Sequence, residues 1–211
     1  MKEEIHNICK RYDIKNYTIN EDGSIDVDGD VDLSSKGLKK LPVTFKKVGG
    51  RFDCSRNRLT SLEGGPETLG GKFDCSYNEL TSLEGCPERV GGYFNCNFNK
   101  LTSLKGGPER VDGGFSCGKN NLTSLEGSPK KVGGGFYCYY NNLTTLVGSP
   151  KEVGGNFNCC DNNLTTLEGG SKEVGGAFNC NHNILPKHMV DNPIAEIKKI
   201  HRNNILNIIF S

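Results

Sequence analysis

Cysteine is the residue type with the most potential chemistry in this chain, and seven of its ten copies recur at a spacing of 21 residues. Structural zinc sites use closely spaced cysteine pairs, which this spacing does not offer. A free cysteine in a core behaves as a small apolar residue. We therefore predict no metal site and a ladder of buried, reduced thiols. Its members are Cys54, Cys75, Cys96, Cys117, Cys138, Cys159 and Cys180. Cys86 and Cys160 lie outside the ladder, and we expect them to be the most accessible thiols.

Four aspartates alternate along one short segment, Asp26, Asp28, Asp30 and Asp32. Calcium-binding EF-hand loops combine such aspartates with a glycine and a later glutamate, but Gly29 stands at the wrong position for that pattern. An acidic strand that discourages edge pairing explains the segment better.

No catalytic arrangement is recognisable. The four histidines are scattered, and no nucleophile motif, P-loop or dinucleotide fingerprint occurs. We therefore expect a non-enzymatic protein without catalytic residues or cofactors.

Aromatic and basic residues next to the recurring cysteines form a second candidate group. On a strand, side chains that flank an inward-pointing residue point outward, and tyrosine with arginine is typical of interface hot spots. Gly114, Ser116 and Gly118 lie between the aromatic residues and predict a shallow trough roughly 10 Å wide. The predicted partner-binding residues are Arg51, Arg56, Lys72, Tyr77, Tyr93, Phe98, Lys119, Tyr137, Tyr139 and Tyr140.

These residues are carried by a 21-residue repeat, present seven times between Leu38 and Ile184. Phenylalanine recurs two positions before each ladder cysteine and asparagine three positions after it, as in Phe52, Cys54 and Asn57. A fixed period of this length is typical of a solenoid of stacked supersecondary units. We expect phenylalanine and cysteine to point inward from one parallel sheet, the glycine pairs to allow a sharp entry or positive φ, and the proline segments to be irregular.

The spacing Phe52-x-Cys54-x-x-Asn57-x-Leu59 resembles that of leucine-rich repeats, in which the pattern is L-x-L-x-x-N-x-L. The resemblance covers residues 31–185. It implies a mostly-β α/β solenoid, right-handed, with a parallel sheet on its concave face and helical caps at both ends.

Two groups of leucine-rich repeat proteins are similar in detail. The L-T-S-L cadence resembles the short repeats of bacterial effectors, with one more residue per unit. The opening segment 24–38 resembles small repeat proteins of tailed bacteriophages. That likeness implies a host-directed, intracellular role.

The ends of the chain depart from the repeat. Residues 1–37 predict an N-terminal cap with a short helix, a hairpin around Asp22-Gly23 and a degenerate first unit. Residues 38–184 are the seven repeats. Residues 185–211 predict a C-terminal helical cap that begins at Asn192-Pro193, and we expect all three parts to form one domain.

The composition is nearly balanced in charge, with 26 basic and 25 acidic residues and a net charge of +1. This balance gives no general attraction to nucleic acid or membranes. With no apparent signal peptide or transmembrane run, we expect a soluble cytoplasmic protein, located in the host bacterium if it is phage-encoded.

Two functional hypotheses follow. The first is a non-enzymatic module whose concave strand face binds a folded protein, with a bacterial host defence protein that is blocked or sensed as the partner. The alternative is a nucleic-acid-binding solenoid that uses the aromatic residues with Arg51, Arg56, Lys72 and Lys119. Interspersed aspartates and the near-neutral charge count against this alternative.

Overall fold

The computed structural model describes residues 2–209, with side chains described through residue 204. The chain forms a mostly-β solenoid in which successive coils stack in register every 21 residues. Each coil contributes one short strand to each of two sheets. The predicted parallel solenoid is therefore confirmed.

The strands divide between the two sheets as follows. The nine-stranded first sheet contains β1 (Tyr17–Ile19), β2 (Ile25–Val27), β4 (Phe45–Val48), β6 (Thr68–Leu69), β8 (Arg89–Val90), β10 (Arg110–Val111), β12 (Lys131–Val132), β14 (Glu152–Val153) and β16 (Glu173–Val174). The eight-stranded second sheet contains β3 (Val31–Asp32), β5 (Phe52–Asp53), β7 (Phe73–Asp74), β9 (Phe94–Asn95), β11 (Phe115–Ser116), β13 (Phe136–Tyr137), β15 (Phe157–Asn158) and β17 (Phe178–Asn179).

The prediction of a single sheet is wrong, because the segment after each proline is also extended. Val111 pairs with Val90 and Val132 in parallel register, and all three side chains are buried. A β-branched residue packs well on a pleated surface, and its recurrence every 21 residues builds the second row of inward-pointing side chains.

Phenylalanine and cysteine point inward as predicted. Phe94 and Phe115 are both 0% exposed, and their rings stack with centroids 5.1 Å apart and planes within 4°. The ladder cysteines are all buried as free thiols. Stacked leucines such as Leu59 and Leu62 complete the core.

The repeated asparagine ties neighbouring coils together. The Oδ1 of Asn78 accepts a hydrogen bond from the backbone N–H of Leu59 at 2.9 Å. Its Nδ2 donates to the carbonyl oxygens of Cys54 at 3.0 Å and Cys75 at 3.1 Å. One buried amide thus satisfies backbone groups of two coils where the strands of the second sheet end.

The glycine pairs owe their place to close approach and not to positive φ. A Cβ on Gly71 would lie 2.6 Å from the carbonyl oxygen of Gly50 in the preceding coil. Positive φ occurs instead at the later turn glycines, such as Gly64 with φ 83°. The expectation of positive φ at the pairs is therefore wrong, and crowding between stacked backbones explains them.

Both ends carry helices. Helix α1 (Lys2–Arg11) buries Ile5 and Cys9, and β1 and β2 form the predicted antiparallel hairpin. Helix α2 (Lys187–Asp191) was not predicted, whereas α3 (Pro193–Ile209) begins at the predicted proline. Ile197 of α3 is buried. We also expect Ile205, Ile208 and Ile209 to cover the last coil, but they lie outside the described side chains. The capping role of both ends stays a prediction.

Candidate functional site

The outer surface of the second sheet carries the candidate residues. One group occupies the position two residues after each ladder cysteine and forms what we call the stacked column. It consists of Arg56, Tyr77, Phe98, Lys119 and Tyr140.

The stacked column has an unusual backbone. Its five residues have φ between 51° and 56°. This left-handed region suits glycine and asparagine, and it is uncommon for bulky residues. The conformation lets the chain turn from the strand to the buried asparagine one residue later. It also projects side chains of successive coils in one direction.

The side chains of the stacked column contact one another without a break. The Arg56 Cζ lies 4.8 Å from the centroid of the Tyr77 ring, and Tyr77 and Phe98 stack with centroids 4.1 Å apart. The Lys119 Nζ lies 4.7 Å from the Phe98 centroid and 5.1 Å from the Tyr140 centroid. Cations placed over ring faces are attracted by the ring quadrupole. The column is therefore a preformed stack of aromatic and cationic groups.

Beyond the stacked column, a different pair of residues occupies the equivalent position. Asp161 and His182 continue the same left-handed position in the last two coils. The Asp161 Oδ1 lies 3.0 Å from the His182 Nδ1. The aromatic and cationic part of the column therefore stops at Tyr140.

A second group, which we call the tyrosine cluster, consists of Tyr93, Tyr137 and Tyr139. Tyr139 adjoins the stacked column, because its ring meets that of Tyr140 edge-on at 6.1 Å. Burial raises the pKa of the Tyr93 and Tyr139 phenols. These phenols are therefore neutral hydrogen-bonding groups at physiological pH.

The predicted trough between the aromatic residues is largely filled. A Cβ on Gly118 would lie 2.7 Å from the Cζ of Tyr139, and one on Gly114 would lie 2.9 Å from the Cε2 of Tyr93. The tyrosine rings lie over these glycines because no side chain keeps them away. Small residues in the fourth repeat therefore seat the aromatic rings and do not open a groove.

A polar network beneath the tyrosine cluster was not predicted. The Oδ1 of Asn97 accepts hydrogen bonds from the Ser116 hydroxyl at 2.7 Å and from the Gly118 N–H at 2.6 Å. The Nδ2 of Asn97 donates to the Tyr139 hydroxyl at 3.3 Å. Residues 97, 118 and 139 occupy the same repeat position and are 21 apart. The repeat register could therefore have predicted that they lie side by side.

Two of the four basic candidates are paired with carboxylates. Arg51 lies 3.7 Å from both Asp32 and Asp53, and Lys72 lies 3.1 Å from Asp74. Among the side chains of residues 2–204, no carboxylate lies within 4.0 Å of Arg56 or Lys119. The structure thus separates the basic candidates into a neutralised pair and a pair held only by aromatic rings.

Cys86 and Cys160, the two cysteines within the repeats that lie outside the ladder, are half-buried. Burial raises the pKa of the Cys160 thiol to about 11, and a hydrogen bond from the thiol to Asp161 together with the charge of that carboxylate adds to the shift. Burial raises the pKa of Cys86 to about 12. Both thiols are protonated near neutral pH, which makes them poor nucleophiles.

The part of the chain that the structure describes contains no group of three or more histidine, cysteine or acidic side chains that could hold a metal ion. Over the same residues, none of the helices combines the length and apolarity needed to cross a bilayer.

The fold and the surface together define a parallel β-solenoid with a 21-residue period that carries the stacked column of aromatic and cationic residues on one face. Comparisons with family models, with curated proteins and with solved structures find no match for this chain.

Proposed function

We propose that this chain is a non-enzymatic protein-binding module that engages a folded partner through the stacked column and the tyrosine cluster. The observation that carries the proposal is the unbroken stack of aromatic and cationic side chains from Arg56 to Tyr140. Aromatic residues with arginine dominate interface hot spots.

Pre-organisation favours binding by this surface. Ordering a side chain at an interface costs about 0.5–1.5 kcal/mol. The Tyr77 and Phe98 rings are already fixed against each other. Tyr77 is nevertheless 42% exposed and Tyr140 53% exposed. Large exposed rings that are held in place give a partner contact area at a low entropic cost.

The same contacts count against the nucleic-acid alternative. A base stacks on the open face of an aromatic ring, but Arg56 and Phe98 occupy the two faces of Tyr77. Tyr77 and Lys119 likewise occupy those of Phe98. A base could stack here only by breaking contacts that the protein already makes.

We further propose that the solenoid is of the leucine-rich repeat type. The spacing of Phe52, Cys54, Asn57 and Leu59 and the bonds of the repeated asparagine support this assignment. In that case the outer surface of the second sheet corresponds to the concave face, and the end segments to caps.

The resemblance of segment 24–38 to phage repeat proteins supports a host-directed role. We propose a bacterial host protein, such as a defence component that is blocked or sensed, as the first partner to test. The site of action would be the host cytoplasm.

Affinity capture from bacterial lysate tests the proposal when two matched variants are included. The Tyr77→Asn/Tyr140→Asn variant removes exposed rings and keeps residues that tolerate left-handed backbone. The control, Glu109→Ala/Lys130→Ala, removes an exposed ion pair of 2.9 Å beside the first sheet. We expect the same protein to be captured by the native chain and the control and to be lost, by tenfold or more, with the ring variant. Capture that survives the ring variant but not the control would refute the proposed surface.

A further inference from the structure

The two cations of the stacked column differ from the other basic candidates in what surrounds them. Arg51 and Lys72 have carboxylates within 4.0 Å, whereas Arg56 and Lys119 contact rings. Both Arg56 and Lys119 are exposed. A ring face attracts a cation but accepts no conventional hydrogen bond. The N–H donors of both cations therefore lack a negatively charged partner among the side chains of residues 2–204.

The stack fixes how far apart these cations lie. Arg56 and Lys119 are separated by three coils, and parallel strands lie about 4.8 Å apart, so the separation along the solenoid axis is about 14 Å. Tyr77 and Phe98 fill the interval and restrain both cations. The part of the column from Arg56 to Lys119 thus has a positive group at each end, about 14 Å apart, and aromatic ring edges between them.

We propose that the stacked column binds an extended acidic peptide segment whose carboxylates are four residues apart. An extended chain advances about 3.3 Å per residue, and residues i, i+2 and i+4 lie on one face. Carboxylates at i and i+4 would span about 13 Å and reach Arg56 and Lys119. The side chain at i+2 would then rest on the edges of Tyr77 and Phe98, which favours a small or aliphatic residue there.

An α-helix would match the separation of the two cations less well. A helix advances 1.5 Å per residue, so about nine residues cover 14 Å, and residues nine apart lie on opposite sides of a helix. Arg56 also favours a carboxylate over a neutral acceptor, because the planar guanidinium can bind both carboxylate oxygens at once.

This inference rests on the proposed function and narrows it to a partner that presents an acidic extended loop or tail. The probe is a displayed library of random 12-residue peptides, selected on the full chain at about 50 mM salt, where electrostatic attraction is weakly screened. We expect enrichment of peptides with Asp or Glu at positions i and i+4. Replacing either acid by its amide should weaken binding at least fivefold.

Two matched variants localise the binding of the selected peptides. Arg56→Gln/Lys119→Gln should weaken it at least tenfold. Lys130→Gln/Lys151→Gln removes the same net charge from exposed lysines away from the site and should change it less than twofold. Peptides that are neutral or basic, peptides that ignore the first variant, or a failure to enrich any peptide would each overturn the inference.

The remaining outcomes separate this inference from the proposed function. If no acidic peptide is selected but lysate capture still depends on Tyr77 and Tyr140, the protein-binding function stands and only the peptide inference fails. If acidic peptides bind at the column but lysate capture ignores Tyr77 and Tyr140, the proposed cellular function fails. Binding of a 20-nucleotide single-stranded oligothymidylate that requires Arg56 and Lys119 would overturn both in favour of nucleic acid.

Discussion

The rings of Tyr77 and Phe98 stack with centroids 4.1 Å apart and an interplanar angle of 12°, although both residues hold left-handed backbone with φ 55°. The two residues are 21 apart in sequence, and the stacking of coils brings them into contact. A favourable side-chain contact is therefore built on an unfavourable backbone. The stability of the column and its binding role can be tested separately.

Asparagine substitutions in the stacked column should reduce binding more than stability. Phe98→Asn loses ring contacts worth about 0.5–1.5 kcal/mol, but it relieves a left-handed backbone cost of about 1–2 kcal/mol. We expect the free energy of unfolding in urea to change by less than about 1 kcal/mol, while partner binding weakens by about 2 kcal/mol.

Ser35→Asn is the control, because Ser35 holds the same left-handed backbone before the aromatic part of the column begins. It should raise the free energy of unfolding by about 1–2 kcal/mol through the same backbone relief and leave partner binding unchanged. A loss of more than about 3 kcal/mol of stability in Phe98→Asn would mean that the column is chiefly structural.

Tyr139 and Gly118 should be energetically coupled. A Cβ on Gly118 would lie 2.7 Å from the Cζ of Tyr139, so Gly118→Ala must displace the ring. In a Tyr139→Ala background the three atoms nearest to the added methyl group, all of them in the Tyr139 ring, are gone. We expect Gly118→Ala to destabilise the native chain and to cost at least 1 kcal/mol less in the variant. Additive effects in the double-mutant cycle, measured by urea unfolding, would show that the ring does not occupy this place.

The ladder cysteines predict a steep loss of stability at alkaline pH. Burial raises the pKa of Cys75, Cys96, Cys138 and Cys159 well above 9.0. In the unfolded chain these thiols ionise near their ordinary value, so unfolding releases protons between that value and the higher folded values.

The buried neutral thiols make their full contribution to the free energy of unfolding below about pH 8.5. This contribution is lost as the pH rises toward the pKa values of the thiols in the folded state. Each buried thiol should add about 1.4 kcal/mol per pH unit to the slope. Unfolding with reductant at pH 8 to 10.5 measures it. Cys117→Val should reduce the slope by the contribution of one thiol, about 1.4 kcal/mol per pH unit. A flat profile would contradict buried, neutral thiols.

Alkylation of Cys160 should require unusually high pH. With a thiol pKa of about 11, its reaction rate with iodoacetamide should rise about tenfold per pH unit from pH 8 to 10, because the thiolate is the reactive form. A free cysteine levels off above about pH 8.5. Mass spectrometry should find Cys160 modified first, followed by Cys86, with the ladder cysteines protected until unfolding. Rapid modification of most of the ten thiols in the native chain would contradict the buried ladder.

Removal of residues 194–210 should expose the last coil. Ile197 is 1% exposed, and a Cβ on Gly170 would lie 2.7 Å from its Cδ1. The His201 Nε2 lies 3.0 Å from the Gly170 carbonyl oxygen. We expect the truncated chain to aggregate or to lose cooperative unfolding, and Ile197→Ser to lower the melting temperature by several degrees while Lys198→Ser does not. A monomeric truncated chain with an unchanged melting temperature would show that α3 is not a cap.

The repeat by itself determined the solenoid, its period and its inward-pointing residues. Phe94, Cys96 and Asn99 recur in phase with their equivalents in every unit, and only stacked coils bury such columns together. The hairpin around Asp22-Gly23 and the start of α3 at Pro193 were equally predictable, because turn and helix-start preferences act over a few residues.

The second sheet was decided by tertiary structure. Two residues such as Arg89–Val90 have too little length for a strand pattern, and they become extended only because Arg110–Val111 pairs beside them. The close approach at the glycine pairs likewise exists only between coils.

For the candidate site too, the sequence determined some features and the tertiary structure decided the others. The sequence identified Arg56, Tyr77 and Lys119 as surface residues from their place beside the recurring cysteine. It could not reveal their left-handed backbone, because such backbone is expected of glycine or asparagine. Which basic residues meet carboxylates, and which lie against rings, depends on side-chain directions that only the stacked coils fix.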